Sequence, residues 1–111
     1  MTDIACTPHP YGQQIAHVAK QQIGLDAWLA VSARNPRWWT NLDGSVTFAF
    51  RFGNRYGLAH WCEVTYQGAS DDYDVRTIKV RRNGHKDVLT EHDGVYADSL
   101  GAVIREANAT W

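Results

Sequence analysis

The sequence predicts an α+β fold: an antiparallel meander of four to five strands, with an N-terminal and a C-terminal helix packed on one face, in the order α-β-β-β-β-β-α. Three observations carry this expectation. Residues 45–52, Ser-Val-Thr-Phe-Ala-Phe-Arg-Phe, put Val46, Phe48, Phe50 and Phe52 on one side and Ser45, Thr47, Ala49 and Arg51 on the other. That is the period-two alternation of a half-buried strand. Apolar residues recur at helical spacing near both ends of the chain. Asn83-Gly84, between two strand-like runs, is a strong hairpin signal. Three phenylalanines on one strand face need a bulky cover, which the terminal helices supply, and helices kept to one face of an antiparallel sheet define the α+β class.

A chain of 111 residues with ordinary apolar and charged content is expected to fold as one domain around a real core, without staples. That domain should span residues 11–111, behind a polar lead at residues 1–10 that contains Pro8 and Pro10 and stays loose. Eleven basic against twelve acidic residues give a formal charge of −1, which is no global nucleic-acid or membrane-surface signature. The distribution is uneven. From Arg34 to Arg82, eight basic residues stand against five acidic ones, so a locally basic sheet surface is an open alternative. Cys6 and Cys62 make no disulfide framework. With neither an export signal nor an apolar run long enough to span a membrane, the chain reads as cytosolic with reduced thiols.

The first helix begins near Tyr11 and stops at Gly24, with Tyr11, Ile15, Val18, Ala19, Gln22 and Ile23 on its inner stripe. Residues 27–32 read as a strand of ambiguous alternation, Trp28 and Ala30 facing one way and Leu29 and Val31 the other. Residues 33–44 contain Asn35-Pro36, Asn41 and Asp43-Gly44 and read as a connection dense in turn formers. It carries Trp38 and Trp39 side by side, of which one packs inward and the other is exposed if the chain is extended.

After the strand at 45–52, the turn Gly53-Asn54-Arg55-Tyr56-Gly57 leads to a strand at 58–66. There Leu58, His60, Cys62, Val64 and Tyr66 share one face, and Trp61, Glu63 and Thr65 the other. Residues 67–72 form an exposed loop. The strand at 73–81 changes phase, Tyr73 and Val75 alternating correctly and Ile78 and Val80 one residue out, which predicts a β-bulge near Arg76 and Thr77. Asn83-Gly84 then turns into a short last strand at 85–91, ended by Asp93-Gly94. The C-terminal helix places Tyr96, Leu100, Val103, Ile104, Ala107 and Trp111 on one stripe, with Asp98 near its positive N-terminus.

Several of these features resemble a group of small proteins encoded by phages, prophages and plasmids, a group without an assigned biochemical role. The matching runs are Gln21-Gln22-Ile23-Gly24, then Trp28-Leu29-Ala30-Val31-Ser32-Ala33-Arg34-Asn35, the phenylalanine strand at 47–52 and Tyr73-Asp74-Val75. The sharpest is the helix-opening pattern Gly-Val-Tyr-Ala-Asp-x-Leu, present as Gly94-Val95-Tyr96-Ala97-Asp98-Ser99-Leu100. The resemblance covers about residues 18–111, and the chain departs from it in its extra tryptophans and in ending at Trp111. It implies a mobile-element origin and a cytoplasmic place of action in a bacterial host, and it implies no catalytic residue.

The chemistry-bearing residues are sparse. His60-x-Cys62 puts an imidazole and a thiol on one strand face, but zinc needs two further close ligands, and no Cys-x-x-Cys or His-x-x-x-His follows. As a nucleophile pair they would stand about 6–7 Å apart at Cα and parallel. Asp71, Asp72 and Asp74 lack the glycine and distal Glu of a calcium loop. The Gly53 to Gly57 turn lacks a following helix and a Lys-Ser/Thr, so no phosphate loop is expected. No enzymatic activity, cofactor or metal is therefore expected.

What remains is surface. The side of the sheet away from the phenylalanines is expected to present Trp38 or Trp39, Thr47, Arg51, Trp61, Glu63, Thr65 and Arg76. Trp and Arg are enriched in protein–protein hot spots, and the same mixture stacks the bases of a single strand. The plainer alternative is that Trp61 only covers its cross-strand neighbours. Two functions from different classes follow: a protein that binds a host protein, as inhibitors of bacterial defence systems do, or a binder of single-stranded DNA or RNA. An isologous homodimer would use the same residues or a sheet edge.

Overall fold

The computed structural model describes residues 12–53 and 59–109. Among them, helices Gly12–Ile23 (α1) and Leu25–Ala30 (α2) precede strands Arg34–Thr40 (β1), Val46–Arg51 (β2), Ala59–Gln67 (β3), Asp72–Val80 (β4) and Lys86–Val95 (β5). A 3-10 turn at Ala97–Ser99 leads into the last helix, Leu100–Ala109 (α3). The strands make one antiparallel meander sheet in the order β1-β2-β3-β4-β5. The α+β architecture with helices at both ends of the sequence is present.

The core lies between the helices and the phenylalanine side of the sheet. Phe48, Phe50 and Phe52 on β2 and its continuation, Cys62 and Val64 on β3, and Tyr73 and Val75 on β4 pack against Ala16, Ala19, Ile23, Ala27, Val31, Leu100 and Ile104. Trp28 of α2 sits among the rings, 4.9 Å from Phe50 and 6.1 Å from Phe48 between centroids. α1 turns Gly12, Ala16, Ala19 and Ile23 inward rather than the bulkier stripe expected, leaving Ile15 and Val18 half-buried at its flank. Small inward residues let the helix approach the sheet closely. A Cβ on Gly12 would stand 2.5 Å from the Trp38 ring, and one on Gly101 of α3 would stand 2.5 Å from the Ile23 carbonyl oxygen.

Two assignments change. The strand expected at 27–32 is the short helix α2, and the first strand lies inside the segment expected to be a turn-rich connection. The reason is visible in burial. Ala27 and Val31 are buried while Leu29, which a strand would place on their side, is 65 % exposed; a spacing of four on one face is helical. Gly24, at φ +84°, breaks the chain between α1 and α2, and Ser32, at φ +54°, lies just past the end of α2. In β1 the Asn35-Pro36 pair does not prevent pairing, because β1 is an edge strand and the pair falls in a bulge. β1 advances three residues from Arg34 to Arg37 while β2 advances two, with Asn35 at φ +55°.

The bulge expected in β4 is also displaced. β4 pairs with β3 in unbroken register from Gln67↔Asp72 to Ala59↔Val80. The extra residues belong to β5: one at Leu89, between Thr77↔Thr90 and Ile78↔Val88, and one at Asp93-Gly94, where Gly94 has φ +65°. Tyr73, Val75 and Thr77 therefore face the helices, whereas Ile78 and Val80 lie on the opposite side. The change of phase is a real change of face. Gly94 does not end β5, which runs to Val95, and Tyr96 is exposed rather than part of the α3 stripe of Leu100, Ile104 and Ala107.

The hairpin at Asn83-Gly84 is as expected, and the Asp43-Gly44 loop has the same form. In each the glycine has positive φ (+84° and +88°) and the preceding side-chain oxygen accepts the N–H two residues on, at 2.9 Å. Asp43 also accepts the Ser45 hydroxyl, and these bonds hold its carboxyl below the ordinary value. The expected turn at 53–57 beyond Gly53, together with Cys6, Leu58 and Trp111, lies outside the described residues.

Candidate functional site

The side of the sheet opposite the phenylalanines carries no helix among the described residues. Register arranges its side chains in rows that cross the strands. One row is Arg37, Ala49, Glu63, Arg76 and Glu91; the next, toward the Asp43-Gly44 loop, holds Trp39, Thr47, Thr65 and Asp74. On the other side of the Glu63 row, Arg51, Trp61, Ile78 and Val88 are in line. Of the eight residues named for this side, seven, Trp39, Thr47, Arg51, Trp61, Glu63, Thr65 and Arg76, thus share one face. Trp38 does not. It pairs with Phe48, turns toward the helices and is half-buried beneath Gly12, while Trp39 is the exposed one.

Nothing among the described residues covers this face, yet its floor is not solvated. Thr47, Ala49 and Glu63 are buried, at 3 %, 1 % and 5 % exposure. Their larger neighbours shield them. The Arg37 guanidinium lies 5.2 Å from the centre of the Trp61 ring, a cation–π arrangement. Glu63 Oε1 accepts from Arg76 Nη2 at 2.7 Å, and its other oxygen stands 4.0 Å from Lys86 Nζ. Such pairing is what permits a carboxylate on the floor of the face.

Two hollows result. Trp39, Trp61, Arg37, Ile78 and Lys86 stand around the small Ala49 side chain and enclose about 260 Å³. The tryptophans supply aromatic wall, the arginine and lysine a cationic rim. A wider polar hollow of about 530 Å³ opens beside it toward the Asp43-Gly44 loop, where Asp43, Glu63, Asp74, Glu91 and Asp93 outnumber Arg76 and Lys86. Its floor is tied by hydrogen bonds: Trp39 Nε1 to Asn41 Oδ1 at 3.0 Å, Asn41 Nδ2 to Thr47 Oγ1 at 2.9 Å, and the Thr47 and Thr65 hydroxyls 2.9 Å apart.

Arg37, Ala49, Ile78 and Lys86 were not among the candidates read from the sequence. Signals existed for two of them: Ala49 is the one small apolar residue within a run of large ones, and Ile78 marks where the β4 pattern changes face. Arg37 and Lys86 reach the site only through register.

Of the other chemistry-bearing residues, Asp74 lies on this face while His60 and Cys62 stay apart from it. His60 and Cys62 are buried on the helix side, where burial, and then the nearby Glu63 charge, push the Cys62 thiol up. Asp71, Asp72 and Asp74 each accept a separate bond, from the Tyr66 hydroxyl, the Ser70 hydroxyl and the Gln67 amide. Among the described residues no group of three or more His, Cys, Asp or Glu is placed to hold a metal ion, and no helix is long and apolar enough to cross a membrane. Comparison of the chain with protein families, with curated proteins and with solved structures finds no match.

Proposed function

We propose that this chain is a non-catalytic binding protein that takes a partner protein on the uncovered face of its sheet. The observation that carries the reading is the hollow between Trp39 and Trp61 over Ala49, rimmed by Arg37 and Lys86. An aromatic-walled recess beside paired charges is the usual form of a hot spot, in which a partner's apolar side chain is desolvated while the rim fixes orientation. The resemblance to phage, prophage and plasmid proteins makes a host protein of the bacterial cytosol the natural partner, with components of defence systems first among those to test.

A single-stranded nucleic acid is the second reading, favoured by Arg37 stacked over Trp61 and by Arg51 in register with it. Glu63, Asp74, Glu91 and Asp93 on the same face oppose a phosphate backbone. The test is capture from host lysate by the wild type and by a Trp61→Ala, Arg51→Ala double variant, each checked for folding. We expect a defined host protein with the wild type and its loss with the variant. Recovery of the same proteins by both would remove this face from the function. Binding of a single-stranded oligonucleotide that weakens steeply with salt would transfer the face to the second reading.

A further inference from the structure

On the helix side of the sheet, away from the tryptophan hollow, β3 and β4 end in a cross-strand pair of tyrosines. Tyr66 and Tyr73 are register partners, with ring centroids 5.5 Å apart and planes inclined by 56°. The loop that joins the two strands returns Asp71 to this pair. The Asp71 N–H donates to the Gln67 carbonyl at 2.8 Å, its φ is +54°, and its carboxylate accepts the Tyr66 hydroxyl at 2.7 Å. α1 crosses above with Ile15 and Val18 half-buried at its flank and Gln14 and Gln22 beside them. The helix and the tyrosines line a half-open cavity of about 360 Å³.

We propose that this cavity binds a protonated amine carried on a short apolar chain, its ammonium against Asp71 and the tyrosine rings and its carbons along Ile15 and Val18. The lining fits that chemistry and disfavours others. Two aromatic rings and a carboxylate line it together, the groups that attract an organic cation. Among the described residues no lysine, arginine or histidine lines the cavity, so an anion meets there only repulsion from Asp71. A purely apolar ligand would strip water from the two glutamine amides and the carboxylate without replacing it.

Both phenols stay neutral. Tyr73 donates to Gln22 Oε1, and burial foremost, with Tyr66 and Asp71 beside it adding to the effect, pushes its hydroxyl up to about 12. Tyr66 is raised chiefly by its bond to Asp71. Among the described residues the lining thus offers one negative charge, Asp71, to one positive charge. The apolar flank of α1 sets the chain length, and the cavity is large enough for the side chain of a lysine or for a free alkylamine.

The test is a titration followed by the ring resonances of Tyr66 and Tyr73, using n-pentylamine, 1-pentanol, pentanoate and Nα-acetyl-lysine-N-methylamide as probes. We expect saturable shifts with pentylamine, and binding at least about tenfold weaker for the alcohol and the carboxylate of the same length. Asp71→Asn should weaken the amine by about threefold or more and leave the alcohol unchanged. Tyr66→Phe, which keeps the ring, should retain the amine. Melting of each variant checks that the fold is intact. No saturable shift with pentylamine, an alcohol that binds equally well, or an Asp71→Asn variant with undiminished amine affinity would each overturn the proposal. The lysine derivative distinguishes the sources: binding like pentylamine supports a lysine side chain of a partner, and binding of pentylamine alone supports a free amine. The site lies on the other side of the sheet from the tryptophan hollow, so neither result depends on the function proposed above.

Discussion

Ala49 shows how one residue can serve two requirements. It sits in the β2 run between Phe48 and Phe50, whose rings belong to the core, and its own side chain faces the other way with 1 % exposure. A larger residue there would occupy the space between Trp39 and Trp61. Ala49→Leu is therefore expected to fill that hollow, leave the melting temperature within a few degrees of the wild type, and abolish capture of a partner by this face. The cost to stability stays small because the hollow has room for the added carbons, whereas insertion into a packed core typically costs about 1–3 kcal/mol. Calorimetric melting beside the capture assay checks both halves. A variant that melts normally and still captures the partner would show that the hollow is not the point of contact. The residue scale is also where sequence reading stopped short, because alternation assigns Ala49 to a face without revealing which large side chains surround it.

At the scale of elements, the helices depend on close approach. α3 reaches the α1–α2 junction where Gly101 lies against the Ile23 carbonyl, and a Cβ at Gly101 would also stand 3.5 Å from Ala27 Cβ. Backbone cannot give way as a flexible side chain can. Gly101→Ala should force α3 outward and destabilise by about 1–3 kcal/mol despite the better helix propensity of alanine. For a chain of this size that is a fall of several degrees in the melting temperature; an unchanged or raised value would mean that α3 shifts freely. The same scale explains the misplaced first strand. Residues 25–30 are too few for a helical period to declare itself, and Pro36 reads as a strand breaker unless the strand is known to be an edge. The three well-read strands, by contrast, each carry a face of large residues long enough to reveal its period.

For the whole molecule, the edges matter as much as the faces. β1 offers its outer side with Pro36 and a bulge at Asn35, and β5 is interrupted at Leu89 and at Asp93-Gly94. Bulges and prolines are devices that keep sheet edges from pairing with other chains. Self-association, where it occurs, is thus expected through the tryptophan face rather than by strand addition. Light scattering at micromolar concentration should report the 12.5 kDa monomer. A dimer of twice that mass that persists in Trp61→Ala would show that an edge pairs after all. Charge has a direction as well: Asp43, Asp74, Glu91 and Asp93 gather toward the Asp43-Gly44 loop, while Arg37 and Lys86 rim the tryptophan hollow. A net charge near zero conceals this, since composition sums over positions.

By itself the sequence determined the class of the fold, the phenylalanine core, the Asn83-Gly84 hairpin and the face on which Thr47, Arg51, Trp61 and Glu63 lie. These follow from local rules: a strand turns alternate residues to opposite sides, and a glycine at a tight turn adopts positive φ. Only the tertiary structure decided that Trp39 rather than Trp38 is exposed, that Ile78 and Val80 join the tryptophans instead of the core, and that Tyr66, Tyr73 and Asp71 meet beneath α1. Each of those depends on register and on where a bulge inserts its extra residue. Moving an extra residue from one strand to its neighbour changes which face a side chain occupies while leaving the alternation of the sequence unaltered.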